Sequence, residues 1–137
     1  MLKSKKGFTL IELMVVVAII GVLALLGLRL YTGQQQKAKN AIVKANAGTI
    51  QTLIQANLAD TTSTLVDAMV DDSTSDGLFA KSGIHIPDGS AQTANGTTAI
   101  GEVVVVYDPT VGSEFFSING NGFDGNDVYT TPLTARK

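Results

Sequence analysis

Apolar and polar positions along the chain fall into three successive patterns. From Phe8 to Leu28 the chain is almost continuously apolar: of these 21 residues, 14 are Leu, Ile, Val or Phe, and Glu12 is the one ionisable side chain. At about 1.5 Å per helical residue, the run spans roughly the 30 Å of a bilayer's hydrocarbon core. One acid does not prevent insertion. Fourteen strongly apolar residues contribute roughly −4 to −8 kcal/mol, against about +2.5 to +3.5 kcal/mol for an acid at mid-membrane.

The second pattern has helical period. Between Lys37 and Ala59 the apolar positions Val43, Ala47, Ile50, Ile54 and Leu58, with Leu53 beside them, recur in steps of three and four. That spacing predicts an amphipathic helix with one core-facing stripe. No proline interrupts Phe8 to Ala59, so a single helix over 8–59 is expected, about 78 Å long. Its first half has to find lipid or other helices. Arg29 and Tyr31 suit an interface where the helix leaves the apolar phase. Asp60-Thr61-Thr62-Ser63 ends it and offers caps to a short second helix, whose Leu65, Val66, Met69 and Val70 share a face and which Asp71-Asp72-Ser73 closes.

The third pattern is that of strands. Residues 73–99, rich in Ser, Thr, Gly, Asn and Asp, read as surface loop with a short edge strand at Ile84-His85-Ile86-Pro87. Ile100 to Tyr107, containing the run Val103 to Val106, predicts a largely buried strand. Glu114 to Ile118 and Val128 to Thr131 predict two more, the last before Pro132 and a basic end at Arg136-Lys137. A three- or four-stranded antiparallel sheet laid on the Val43-to-Leu58 stripe would bury both apolar faces, an α+β fold with a head at 60–137. That head has room for one small core.

Charge and cysteine narrow the picture. Lys3, Lys5 and Lys6 precede the apolar run, and the positive-inside tendency holds such a flank in the cytoplasm with the C-terminal bulk outside. The formal charge is −2, and without those three lysines seven basic residues face twelve acidic ones, a charge of −5. That balance is a poor footprint for nonspecific nucleic-acid binding. There is no cysteine, so no disulfide holds the C-terminal loops.

A basic leader that meets the apolar core directly at Gly7-Phe8, with no small-x-small cleavage site after the core, is unlike an ordinary secretory signal. The leader with Gly7, then Phe8, Thr9-Leu10-Ile11 and Glu12, resembles the type IV pilin family, which includes the pseudopilins of type II secretion. The resemblance is specific over about the first 25 residues and weaker to residue 59. It implies the type IV pilin fold, with a leader at 1–7 removed by a prepilin peptidase after Gly7, the Phe8 amine methylated, and 8–28 serving as membrane anchor and then filament core. It also implies a homo-oligomeric helical filament, driven from the inner membrane by a cytoplasmic assembly ATPase and a platform protein, and an extracellular pilus for adhesion, motility or DNA uptake. The family usually has a proline where this chain has Arg29, and Gly21, Gly27 and Gly33 are then the places where the helix could loosen.

Glu12 carries the sharpest expectation, because acids within membrane runs are costly and are usually paired. The resemblance implies that Glu12 neutralises the Phe8 ammonium of a neighbouring subunit. The simpler alternative is that it only complements its own helix N-terminus. Ala18, Gly21, Ala24 and Gly27 recur at every third position, a shallow groove for close helix packing or merely the small residues common in membrane helices. Asp124, Asn126 and Asp127, in the loop from Asn119 to Asp127, are candidate calcium ligands. They lack the spacing and closing glutamate of an EF-hand, and turn chemistry alone explains such residues. His85 is the single histidine, and no nucleophile elbow or phosphate-binding loop occurs, so no enzyme and no other cofactor is expected.

The reading that unites these features is a major pilin. The alternatives are the major pseudopilin of a type II secretion system, whose calcium-holding C-terminal loop the Asp124 region faintly matches although the Pro- and Trp-rich signature is missing, and a solitary membrane-anchored binding module whose loops at 83–99 and 119–127 face a ligand.

Overall fold

The computed structural model describes residues 7–137; the leader lysines Lys3, Lys5 and Lys6 lie outside the described residues. Two compact units divide the chain, one ending at Gln35 and the other running from Gln36 to Lys137. The helix α1 (Leu10–Asp60) belongs to both. It starts two residues later than expected, because Thr9 serves as its cap, and it stays helical through Gly21, Gly27 and Gly33. Every residue from Gly7 to Ala38 is exposed. Among the described residues this helix is long and apolar enough to cross a membrane, with a mean hydropathy of 2.8 over its best 18-residue window.

In the second unit the apolar stripe is buried as its spacing requires. Val43, Ala47, Ile50, Ile54 and Leu58 are the buried residues of α1. Thr62 caps the short helix α2 (Ser63–Asp71), accepting from the Leu65 N–H at 3.4 Å, and Val66 and Val70 turn inward. The sheet is a three-stranded antiparallel meander in the order β1 (Val103–Asp108), β2 (Phe115–Gly120), β3 (Leu133–Arg136). Val103, Val105, Phe116, Ile118 and Ala135 face the helices, and Tyr107 stacks on Phe116 with ring centroids 4.8 Å apart.

Three expectations need correction. Residues 73–99 are not all surface loop: α3 (Leu78–Ser82) lies there, bounded by Gly77 and a left-handed Gly83, and buries Leu78 and Phe79. The expected edge strand at 84–87 is one isolated bridge, His85 to Ala91. The third strand is not Val128 to Thr131 but β3, beyond Pro132. The Val128 N–H donates to the Gly120 C=O at 2.9 Å, but at Tyr129 the Asn119 carboxamide takes up the N–H at 3.2 Å and the C=O at 3.1 Å, so a side chain replaces the ladder there. Pro132, which cannot donate to a ladder, then precedes the strand.

Close packing of α1 on the sheet rests on Gly120. A methyl group there would collide with Val43 Cγ1 and come within 3.1 Å of Val128 Cγ2, whereas one at Gly48 in α1 would meet nothing within 4 Å. Gly120→Ala is therefore expected to cost about 1–3 kcal/mol by overpacking. Gly48→Ala is expected to gain about 0.5–1 kcal/mol by lowering the entropy lost on helix formation. Thermal unfolding of the detergent-solubilised chain reads both, and equal shifts would contradict the packing described.

Candidate functional site: the uncovered apolar helix and its first turn

Gly7, Phe8 and Thr9 precede the helix, and Phe8 is 86% exposed. The Gly7–Phe8 bond thus lies in non-helical, solvent-reached backbone. Thr9 and Glu12 then form a reciprocal cap. Glu12 Oε2 accepts from the Thr9 N–H at 2.9 Å and from its hydroxyl at 2.8 Å, and Thr9 Oγ1 accepts from the Glu12 N–H at 3.3 Å. Two donors that have no partner inside the helix are satisfied in this way. Among the described residues Glu12 Oε1 receives no hydrogen bond. The capping-box pattern, Thr followed three residues later by Glu, was present in the sequence and could have revealed this local role.

Around this turn the surface is apolar on all sides. Ala18, Gly21, Ala24 and Gly27 are exposed, and a methyl group at Gly21 or Gly27 would meet nothing within 4 Å. Among the described residues nothing requires Gly21 or Gly27 to be small.

Comparison with known proteins places this segment. Residues 2–28 match the family model described as the prokaryotic N-terminal methylation motif. The chain's N-terminus carries this methylation motif. It is 46% identical over 56 residues to fimbrial protein EcpB of Eikenella corrodens, covering 41% of this chain and 35% of that protein. To the type IV major fimbrial protein FimA of Dichelobacter nodosus it is 43% identical over 56 residues, covering 41% of this chain and 36% of the relative. A probable minor fimbrial protein of the same organism is 42% identical over 64 residues, covering 47% and 40%. The matches thus span little more than a third of the length of these relatives. No solved structure matches the chain significantly. The long apolar helix followed by a helix-packed three-stranded antiparallel sheet is consistent with the α+β type IV pilin fold.

The loop with the candidate calcium ligands is tied by hydrogen bonds to its carboxylates. Asp124 Oδ1 accepts from the Asn126 N–H at 3.4 Å and from Asn40 Nδ2 at 3.5 Å, and Asp127 Oδ2 accepts from Asn119 Nδ2 at 3.0 Å. One oxygen of each of these two carboxylates is thus engaged by a donor. The described residues contain no group of three or more His, Cys, Asp or Glu side chains placed to hold a metal. What the loop does hold is α1: Asn40 Oδ1 accepts from the Phe123 N–H at 2.8 Å, and Lys39 Nζ lies 4.8 Å from the centre of the Phe123 ring.

Four turn carboxylates lie below the ordinary aspartate value for the same reason, donors aimed at the charged form. The Thr74 N–H acts on Asp72, the Ser90 N–H on Asp88, the Thr110 hydroxyl ahead of its N–H on Asp108, and Asp124's own N–H ahead of that of Asn126 on Asp124. Asp67 is shifted upward, by burial first and then by the charge of Asp71. The stability contributed by the four depressed groups is complete above their ordinary value and is lost as pH falls through their folded values; that of Asp67 runs the other way. The melting temperature is therefore expected to fall as pH drops through and below the ordinary aspartate range, and Asp67→Asn to raise it at neutral pH. A melting temperature that stays flat on acidification would show that these turns contribute nothing.

Proposed function

We propose that this chain is the major subunit of a type IV pilus, a structural protein that polymerises through its apolar N-terminal helix into a surface filament. One observation carries the reading: a membrane-length helix that begins at a methylation motif and finds no cover among the described residues. In the precursor, lipid covers it. After a prepilin peptidase cuts the exposed Gly7–Phe8 bond and Phe8 is methylated, neighbouring helices take the place of lipid and the heads remain in water. One dry environment replaces another, and heterologous contacts that do not close into a ring propagate as a fibre.

Ala18, Gly21, Ala24 and Gly27 give those neighbours a close approach. Glu12 has two tasks in this reading. Oε2 caps its own helix, and Oε1 is available to the Phe8 ammonium of the next subunit, where leaving the charge unpaired would cost several kcal/mol. An assembly ATPase and a platform protein of the inner membrane would drive extraction. The fimbrial names of the relatives favour a pilus over a secretion pseudopilus.

Electron microscopy of sheared surface material, with N-terminal mass analysis, tests the reading. Filaments whose subunit begins at N-methylated Phe8 are expected. Protein that stays embedded, uncut and monomeric would overturn it, and loss of protein secretion on deletion, without surface filaments, would favour the pseudopilus. Glu12→Leu is expected to insert and be processed while filament yield drops steeply. Wild-type yield from that variant would remove the pairing role.

A further inference from the structure

Both outer edges of the three-stranded sheet end against side-chain carboxamides. On β1, Gln92 Nε2 donates to the Val103 C=O at 2.7 Å while its Oε1 accepts from the Val103 N–H at 2.9 Å. Two residues along the strand, Asn95 repeats the pattern on Val105, with both bonds at 2.9 Å. On β3, Gln55 Nε2 donates to the Arg136 C=O at 2.6 Å and its Oε1 accepts from the Arg136 N–H at 3.2 Å, and Gln51 Nε2 donates to the Thr134 C=O at 2.8 Å. The pairing registers put these positions on the sides of β1 and β3 that face away from β2. Gln92 is itself 6% exposed, so its amide is committed to this contact.

A carboxamide offers the same donor and acceptor as a peptide unit, so a two-bond pair on one residue imitates a partner strand. Unlike a strand, it ends there and leaves nothing to extend. Unpaired edges are templates for another chain. We infer that Gln92 and Asn95 on β1, and Gln51 and Gln55 on β3, close the sheet against strand addition by a second copy of this chain, leaving the apolar helix as the surface through which copies join. The bearing on a filament rests on the function proposed above, whereas the closure of the edges does not. Heads held side by side in a polymer meet at very high local concentration, the condition under which open edges pair.

The chain has no cysteine, so Thr134→Cys places a single reporter thiol on β3. In detergent, oxidation is expected to give about tenfold more disulfide-linked dimer when Gln51→Leu and Gln55→Leu accompany the reporter than when it stands alone. Equal dimer from a chain that still melts cooperatively would overturn the inference. If the double variant fails to fold, hydrogen exchange on the unaltered protein decides: the amides of Val103, Val105 and Arg136 are expected to exchange slowly, like those inside the sheet, and loop-like exchange overturns the inference. Neither readout uses filament yield, so a failure here and a failure of the pilus reading are told apart.

Discussion

Apolar surface has to be covered, and one helix meets that requirement in two ways. After Asn40 the buried apolar positions of α1 form one stripe, and the sheet covers it. Each of Val43, Ile50, Ile54 and Leu58, fully buried, contributes on the order of 1.5–3 kcal/mol. Before Gln35 the apolar residues go all the way round, and a small sheet can cover only one side of a helix. None of those residues is buried. The same rule that folds the head therefore leaves the first unit in need of something outside the chain, and its function is to be sought there.

Without a disulfide, the C-terminal region is held by hydrogen bonds to α1 and to Thr61 just beyond it. Asn40 fixes the loop at Phe123, the Tyr129 hydroxyl donates to the Lys44 carbonyl, Gln51 and Gln55 hold β3, and Lys137 Nζ donates to the Thr61 carbonyl at 2.7 Å. A typical hydrogen bond contributes about 1 kcal/mol net and a disulfide about 2–4 kcal/mol. Several such bonds, spread along the helix, reach the same order. They also do what a cross-link does not: two of these residues occupy a strand edge that would otherwise be open.

What could be read from the sequence was whatever depends on near neighbours. The stripe from Val43 to Leu58 is set by local period, and all five of its residues are buried. The Thr62 cap is equally local. The short helix α3 was hidden because Leu78 and Phe79 are a single apolar pair in polar surroundings, although Gly77 and Gly83 mark its two ends. Val128-Tyr129 has the better strand composition, yet the strand is β3; what decides is the Asn119 side chain, ten positions before Tyr129, which supplies the bonds a partner strand would have given and which composition does not reveal. The carboxamide contacts on β3 join residues more than 80 positions apart, and a glutamine on a helix looks like ordinary surface until the strand it meets is known.

Glu12 shows how a local and a remote demand can fall on one side chain. The first amides of any helix lack intrahelical partners, and in hydrocarbon water does not supply them. Thr9 and Glu12 satisfy two of these donors wherever the helix resides, so the carboxylate is useful before any neighbour arrives. An alanine there would leave the Thr9 N–H unpaired, and a glutamine would keep an acceptor but lose the charge. Only an acid both caps the turn through one oxygen and presents a charged second oxygen to a cation. In the filament reading that excess charge drives docking: the precursor bears it at a cost in the membrane, and pairing with the next subunit's ammonium removes that cost.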